Sequence, residues 1–197
     1  MRELVVLDLD NTCICAKEMD ELKDVVDPES YEYEDLEDLY RVFPRPGLQE
    51  FLDNLFRNYE VAVWTAADLD YALFVIDNFI TCNKPERELQ FIMWSDHCEY
   101  SVEKTEDEQA KQLTLLEPLY PTKQLVLIDD NEDVLRQTCD TIDSQFFDVC
   151  NKKQAKNDLF FPKTCMDLIK AHFKKSSRDD VKCRIRNRLK ELLLPHT

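Results

Sequence analysis

Leu4-Val5-Val6-Leu7-Asp8-Leu9-Asp10-Asn11-Thr12 sets four consecutive apolar residues directly before two aspartates that stand two positions apart. An unbroken apolar run of this length predicts a strand buried on both faces, as in parallel sheets covered by helices. Strand side chains alternate at period two, so Asp8 and Asp10 are expected on one side, close enough to share a cation. Two carboxylates offer hard oxygen ligands, for which magnesium is the expected partner. The spelling alone is weak, because Asp68-Leu69-Asp70 repeats it where a solvated helix is expected. The weight comes from the strand before it, Thr12 after it, and two more strand ends downstream.

Those strand ends follow Val61-Ala62-Val63-Trp64, which leads into Thr65-Ala66-Ala67-Asp68, and Leu125-Val126-Leu127-Ile128, which leads into Asp129-Asp130. Thr65-x-x-Asp68 has the form of a helix start. Leu89 to Trp94 is expected as a further strand, and Val134 and Leu135 as the beginning of a helix. Pro46, followed by Leu48, Phe51, Leu52 and Leu55 at helical spacing, predicts a helix opening at the proline. Thr105-x-x-Glu108 is read as the cap of a helix reaching Leu116. Strands alternating with helices predict an α/β fold with a Rossmann-like, mostly parallel central sheet covered on both faces. Ligands of such sheets sit beyond the carboxyl ends of the strands. Asp8/Asp10, Thr65 and Asp129/Asp130 all fall at that edge.

With 197 residues, the expectation is a single domain over 1–197. Residues 17–38 carry eleven acidic residues against two basic ones, with Pro28 interrupting any helix. They predict a small acidic insertion after the first strand, 17–44, serving as a cap or a mobile loop. Residues 163–197 hold ten Lys/Arg against four Asp/Glu and predict a basic helical segment that Pro195 ends. Its apolar face, Val181, Ile185, Leu189, Leu192 and Leu193, is expected to dock on the core, with a partner protein or a membrane surface as the alternative.

The net charge of −16 disfavours nucleic acid as a partner. A single glycine, Gly47, excludes the glycine-rich phosphate loops of nucleotide-binding proteins. Phosphate handling must then rest on a metal, side chains and helix ends. Cysteines stand at 13, 15, 82, 98, 139, 150, 165 and 183 with no C-x-x-C pair, which predicts reduced, mostly buried thiols rather than disulfides or zinc. Zinc at His97-Cys98 is the minor alternative. Without a leader or a long apolar run, a nuclear or cytoplasmic, reducing location is expected, with no transmembrane segment.

These groups suit phosphoryl transfer. Asp8 would attack phosphorus to give an aspartyl-phosphate, splitting one difficult step into two. Asp10 would protonate the leaving oxygen and then take a proton from water. Asp8 and Asp130, with a backbone carbonyl near Asp10, would ligate Mg²⁺. Thr65 would hold a phosphoryl oxygen, helped by the amides of the helix expected there and by one lysine among Lys104, Lys111 and Lys123. Duller readings stand beside each: a solvated strand end for Asp8/Asp10, a plain N-cap for Thr65, a turn for Asp129-Asp130.

With these residues in place the chain resembles the haloacid dehalogenase superfamily, specifically its small C-terminal-domain phosphatases, the NLI-interacting-factor-like branch. The resemblance rests on D-L-D-N-T at 8–12, Arg45-Pro46 through Phe51-Leu52, Val63-Trp64-Thr65-Ala66-Ala67, and Val126-Leu127-Ile128-Asp129-Asp130-Asn131. It implies an HAD-type fold and a Mg²⁺-dependent phosphatase acting on phosphoserine or phosphothreonine in proteins, typically the RNA polymerase II tail. By resemblance Asp8 is nucleophile and ligand, Asp10 acid/base, Asp130 ligand, and Asp129 orients the catalytic lysine. Thr65, Ala66 and Lys111 bind substrate. Lys111 is the preferred lysine because Lys111-Gln112-Leu113 followed by Leu116 resembles the family's K-x-L-x-x-L. The acidic stretch Ser95 to Glu108 departs from the basic one usual there. A small-molecule phosphatase of the superfamily, a catalytically idle phosphoprotein-binding adaptor and a receiver domain are the rivals. Cys13 and Cys15, just past the nucleophile, raise the expectation of oxidant sensitivity against that of burial as inert small hydrophobes.

Overall fold

In the computed structural model the described residues are 3–101, 111, 113–116, 118–121, 124–137 and 140–175. Lys104, Lys123, most of the helix expected from Thr105, and the apolar face from Val181 to Leu193 lie outside them. In chain order the elements are β1 (Leu4–Leu7), β2 (Ile14–Glu18), β3 (Glu34–Leu36), β4 (Tyr40–Pro44), α1 (Leu48–Asn58) and β5 (Glu60–Trp64). Then come α2 (Leu69–Val75), β6 (Leu89–Met93), α3 (Ser95–Ser101), β7 (Leu125–Asp129), α4 (Glu132–Gln137), β8 (Thr141–Asp143) and α5 (Lys152–Asn157). A further helix covers 165–175.

Five strands form one sheet in the order β6-β5-β1-β7-β8, and every pairing in it is parallel. The side chains of the central strands divide by period two into two cores. Val5, Leu7, Val61, Val63, Val126 and Ile128 pack on one face against Phe51, Leu52 and Leu55 of α1, Ala72 and Val75 of α2, and Ile169 and Phe173. Leu4, Val6, Ala62, Trp64 and Leu127 pack on the other face against Cys98, Leu113, Leu116 and Val134. Both faces are therefore covered, which is why these strands read as unbroken apolar runs rather than as alternating ones.

The acidic segment is not a loose loop: it carries two short 3₁₀ turns, Glu21–Asp24 and Pro28–Ser30, and a small sheet. β2, β4 and β3 form an antiparallel sheet in that order, which begins at Ile14 and returns at Pro44. On its outer surface Arg41 pairs with Asp35 and Glu29 and lies 3.7 Å above the Tyr33 ring. Its inner side packs Cys15, Val25 and Phe43 against Phe147, Val149 and Ala155.

Four boundaries differ from the sequence reading. α1 begins after Gly47 rather than at Pro46, because Gly47 takes φ +79° as the N-cap. A side chain there would also meet Pro162, whose Cγ lies 2.5 Å from the position of a Cβ. α2 begins at Leu69, not Thr65: Asp68 is the N-cap and its side chain accepts from Tyr71 N. α4 begins at Glu132, two residues before Val134. Leu113–Leu115 is a short 3₁₀ turn instead of the end of an α-helix. β8 had no sequence signal, since three residues at a sheet edge show no period.

Candidate active site

The register of the sheet builds the site. Leu7 is level with Val63 on β5 and with Ile128 on β7, so Asp8, Trp64 and Asp129 stand at the same height. Asp8 N donates to Ile128 O at 3.0 Å, and Thr65 N to Met93 O at 3.0 Å, holding the strand ends in line. Past β1 the chain turns tightly, with Asn11 at φ +56° and Cys13 N donating to Leu9 O.

The carboxyl ends of β5, β1 and β7 open into a cleft of about 560 Å³ whose lining includes Asp8, Asp10, Thr65, Ala66, Lys111, Asp129 and Asp130. All seven sequence-predicted site residues thus meet in one place. Lys111 is buried, with its Nζ 2.5 Å from Asp8 Oδ1 and 2.7 Å from Asp129 Oδ2. The other oxygen of Asp129 accepts from Asn131 N at 2.8 Å. Both oxygens of Asp129 are therefore engaged, one of them in holding the lysine.

Asp130 is held differently. Thr12 Oγ1 donates to Asp130 Oδ1 at 3.2 Å and shares a 3.0 Å hydrogen bond with Ser144 Oγ. Behind this, Arg45 donates to Thr12 O at 3.2 Å and pairs with Asp158 at 3.0 Å, all four groups tying the turn after β1 to the body of the protein. Thr65 does not cap a helix. Its hydroxyl accepts from Ala67 N at 3.1 Å, which leaves its own proton free to donate into the cleft. Since α2 starts four residues later, the amides of a helix beginning at Thr65 are not part of the site.

Asp10 accepts a 2.6 Å hydrogen bond from the Tyr71 hydroxyl and lies at the junction of the cleft with a second depression. That depression, about 640 Å³, is walled by Ala16, Leu36, Leu39, Tyr40 and Tyr71, with Glu37, Asp68 and Asp70 at its rim. Asp68 and Asp70 are solvent-exposed, as their repeated spelling suggested.

The electrostatics follow from burial. Burial pushes the Asp8 carboxyl well above the ordinary carboxylate range; Lys111 opposes this, while the charges of Asp129 and Asp130 add to it. Burial pulls the Lys111 ammonium down, but Asp8 and Asp129 together outweigh that and leave it raised. Asp130 is raised by burial and then by Asp129, and Asp10 by burial against the restraint of the Tyr71 hydroxyl. Among the described residues one ammonium thus faces three close carboxylates. Oxygens of Asp8, Asp129 and Asp130 all lie within 4.8 Å of one another, the one such ligand group among the described residues. Hard donors with uncompensated negative charge fit a divalent ion of the magnesium class. With Asp129 committed to Lys111 and Asn131, Asp8 and Asp130 are the carboxylates best placed to hold it. The Asp10 side chain is outside this group.

Cys13, Cys15, Cys98 and His97 make contacts of a structural kind. Cys13 and Cys15 are buried, and burial pushes both thiols up, Cys15 to about 11, which opposes thiolate chemistry and the expected oxidant sensitivity. Cys98 Sγ donates to Thr65 O, and His97 Nδ1 accepts from Trp94 N. Sequence reasoning gave no roles to Tyr71, Ser144 or Thr12. Thr12 was visible in its motif, and Tyr71 sits six residues after Thr65, but Ser144 carries no signal.

Comparison with known proteins identifies the family. The model of the NLI interacting factor-like phosphatase family matches residues 3–182, and the chain belongs to that family. It is 41% identical over 141 residues to the putative CTD phosphatase-like protein 355R of Invertebrate iridescent virus 3, covering 66% of this chain and 76% of that protein. Its counterpart in Invertebrate iridescent virus 6 is 35% identical over 140 residues, covering 66% of this chain and 77% of that protein. The fold is similar to that of Fcp1, described as an essential RNA polymerase II CTD phosphatase, with TM-score 0.52 at 20% identity over 90% of this chain. It is equally similar to a fission yeast Fcp1 variant bound to beryllium fluoride, with TM-score 0.53 at 20% identity over 96%. This chain spans 53% and 56% of those two structures. Among the described residues no helix is long and apolar enough to cross a membrane.

Proposed function

We propose that the protein is a Mg²⁺-dependent phosphatase that removes phosphate from phosphoserine or phosphothreonine in proteins through an aspartyl-phosphate on Asp8. The observation that carries this reading is Lys111, buried between Asp8 and Asp129 beside Asp130 and facing Thr65. A divalent ion held by Asp8 and Asp130 would supply charge neutralisation between carboxylate and phosphate.

The chain's own residues supply the rest. Thr65 donates its hydroxyl hydrogen to a phosphoryl oxygen, with Ala66 forming the wall beside it. Asp8 attacks phosphorus in line with the departing serine or threonine oxygen, which takes a proton from Asp10. Lys111, fixed by Asp129, places its charge beside the equatorial oxygens as they become more negative. Asp10, now a carboxylate, accepts a proton from the water that attacks the phosphorus of the aspartyl-phosphate, releasing phosphate and restoring both carboxyls. The raised affinity of Asp10 for its proton, caused by burial, suits the first of these two roles.

The depression beside the cleft supports a protein substrate over a small metabolite. It continues past Asp10 and is bounded by the antiparallel insertion, offering room for residues that flank the phosphorylated one. Peptides like the phosphorylated tail of RNA polymerase II, the substrate named for Fcp1, are the first to test. Asp8→Asn keeps the shape of the residue and removes the nucleophile, and Lys111 retains Asp129 as its partner, so it should abolish release of phosphate from phosphopeptides and from p-nitrophenyl phosphate while the protein keeps its fold by circular dichroism. Turnover by that variant at the original rate would overturn the assignment.

A further inference from the structure

We infer that Tyr71 is a positioning residue for Asp10, fixing the carboxyl so that its free oxygen exchanges protons with the substrate. The inference rests on the acid/base role proposed for Asp10 and adds a residue to it. Tyr71 lies in the first turn of α2, where its backbone N–H donates to Asp68 Oδ1 at 2.9 Å; the N-cap of the helix thereby sets where the ring begins. Its ring is packed at 78° against Tyr40 of the insertion, with centroids 6.0 Å apart. Its hydroxyl donates to Asp10 Oδ1 at 2.6 Å, and no other side chain among the described residues bonds that carboxyl.

An aspartate that must give a proton and then take one back needs a single orientation in both states. The phenol satisfies this because it donates to Oδ1 whether Asp10 is neutral or ionised, and so assigns the mobile proton to Oδ2. Without it the carboxyl loses the one side-chain bond described for it and can turn its proton away from the leaving oxygen. The benefit is confined to reactions in which the leaving group needs a proton. A serine alkoxide is a poor leaving group and needs one; p-nitrophenolate departs without help.

The test measures kcat/KM for Tyr71→Phe with a series of ring-substituted phenyl phosphates, from p-nitrophenyl to unsubstituted phenyl, and with a phosphoserine peptide. This ratio runs only through transfer to Asp8, so later hydrolysis does not enter. Phenylalanine keeps the ring against Tyr40, and the small phosphates separate proton transfer from peptide contacts. Since a hydrogen bond to a charged group is worth about ten-fold or more, losses of about ten-fold are expected for phenyl phosphate and the peptide, and within about two-fold for p-nitrophenyl phosphate. Asp10→Asn should show the same dependence on leaving group, more steeply, and the double variant should be no slower than Asp10→Asn alone. A uniform loss across the series, or additive losses in the double variant, overturns the inference. If Asp10→Asn itself shows no dependence on leaving group, the acid/base assignment fails and the inference with it; if only Tyr71→Phe lacks it, the role of Tyr71 alone is refuted.

Discussion

Replacing Lys111 by methionine removes the ammonium that lies between Asp8 and Asp129 beside Asp130, while keeping most of the buried stem. In the native protein Nζ makes two charge-assisted contacts, at 2.5 and 2.7 Å, with carboxylates that are themselves buried. Removing one partner from a buried ion pair costs about 3–5 kcal/mol, because the remaining charge is left without compensation. For a protein of 197 residues that corresponds to a fall in melting temperature of roughly 6–20 °C. The loss has a direction in pH. Burial already raises the Asp8 carboxyl, and Lys111 is the chief influence holding it down, so the variant raises it further. A carboxyl that binds its proton more tightly when folded loses stability as pH rises from its unfolded value toward its folded one. Lys111→Met should therefore be most destabilised at neutral pH and recover as pH falls through the carboxyl range. Urea denaturation at pH 5 and 7.5, without and with Mg²⁺, measures this, and added Mg²⁺ should stabilise the folded form of the variant. A loss below 1 kcal/mol that is the same at both pH values would refute the view that this lysine balances buried charge.

Two further outcomes are expected. Gly47→Ala should destabilise the protein by about 1–3 kcal/mol, read from the urea midpoint, because it places a side chain at φ +79° and a Cβ 2.5 Å from Pro162 Cγ. Cys13 and Cys15, buried and with raised thiols, should resist alkylation by iodoacetamide in the folded protein and react once it is denatured, and peroxide should leave activity unchanged unless another cysteine reacts. Mass spectrometry of the labelled peptides checks the first; rapid labelling of either in the native state would show the turn after β1 to be open.

The strands β1, β5 and β7 and the helix α1 were legible because their patterns have an unambiguous physical cause: strands buried on two faces are apolar throughout, and Leu48, Phe51, Leu52 and Leu55 repeat at helical spacing. The insertion was not. Its strands are short and polar, and β3, Glu34-Asp35-Leu36, exposes two acids that local propensity would assign to a loop. Arg41 braces it across the sheet through Asp35 and Glu29, and Phe43 packs it against Phe147, a contact far away in sequence that no local pattern announces. The helix expected to start at Thr65 starts later, because Thr-x-x-Asp fits a helix start but Asp68 captures the amide of Tyr71.

Which residue types stand at the ends of the central strands could be read along the chain, since strand, turn and carboxylate follow one another within a few positions. How they are shared emerged only on folding. It committed Asp129 to Lys111 and Asn131, joined Asp130 to Thr12 and Ser144, and brought Tyr71 to Asp10 across 61 positions. The reason is physical: buried polar groups must find partners, and which partners lie within reach depends on the register of the sheet and the helices packed on it.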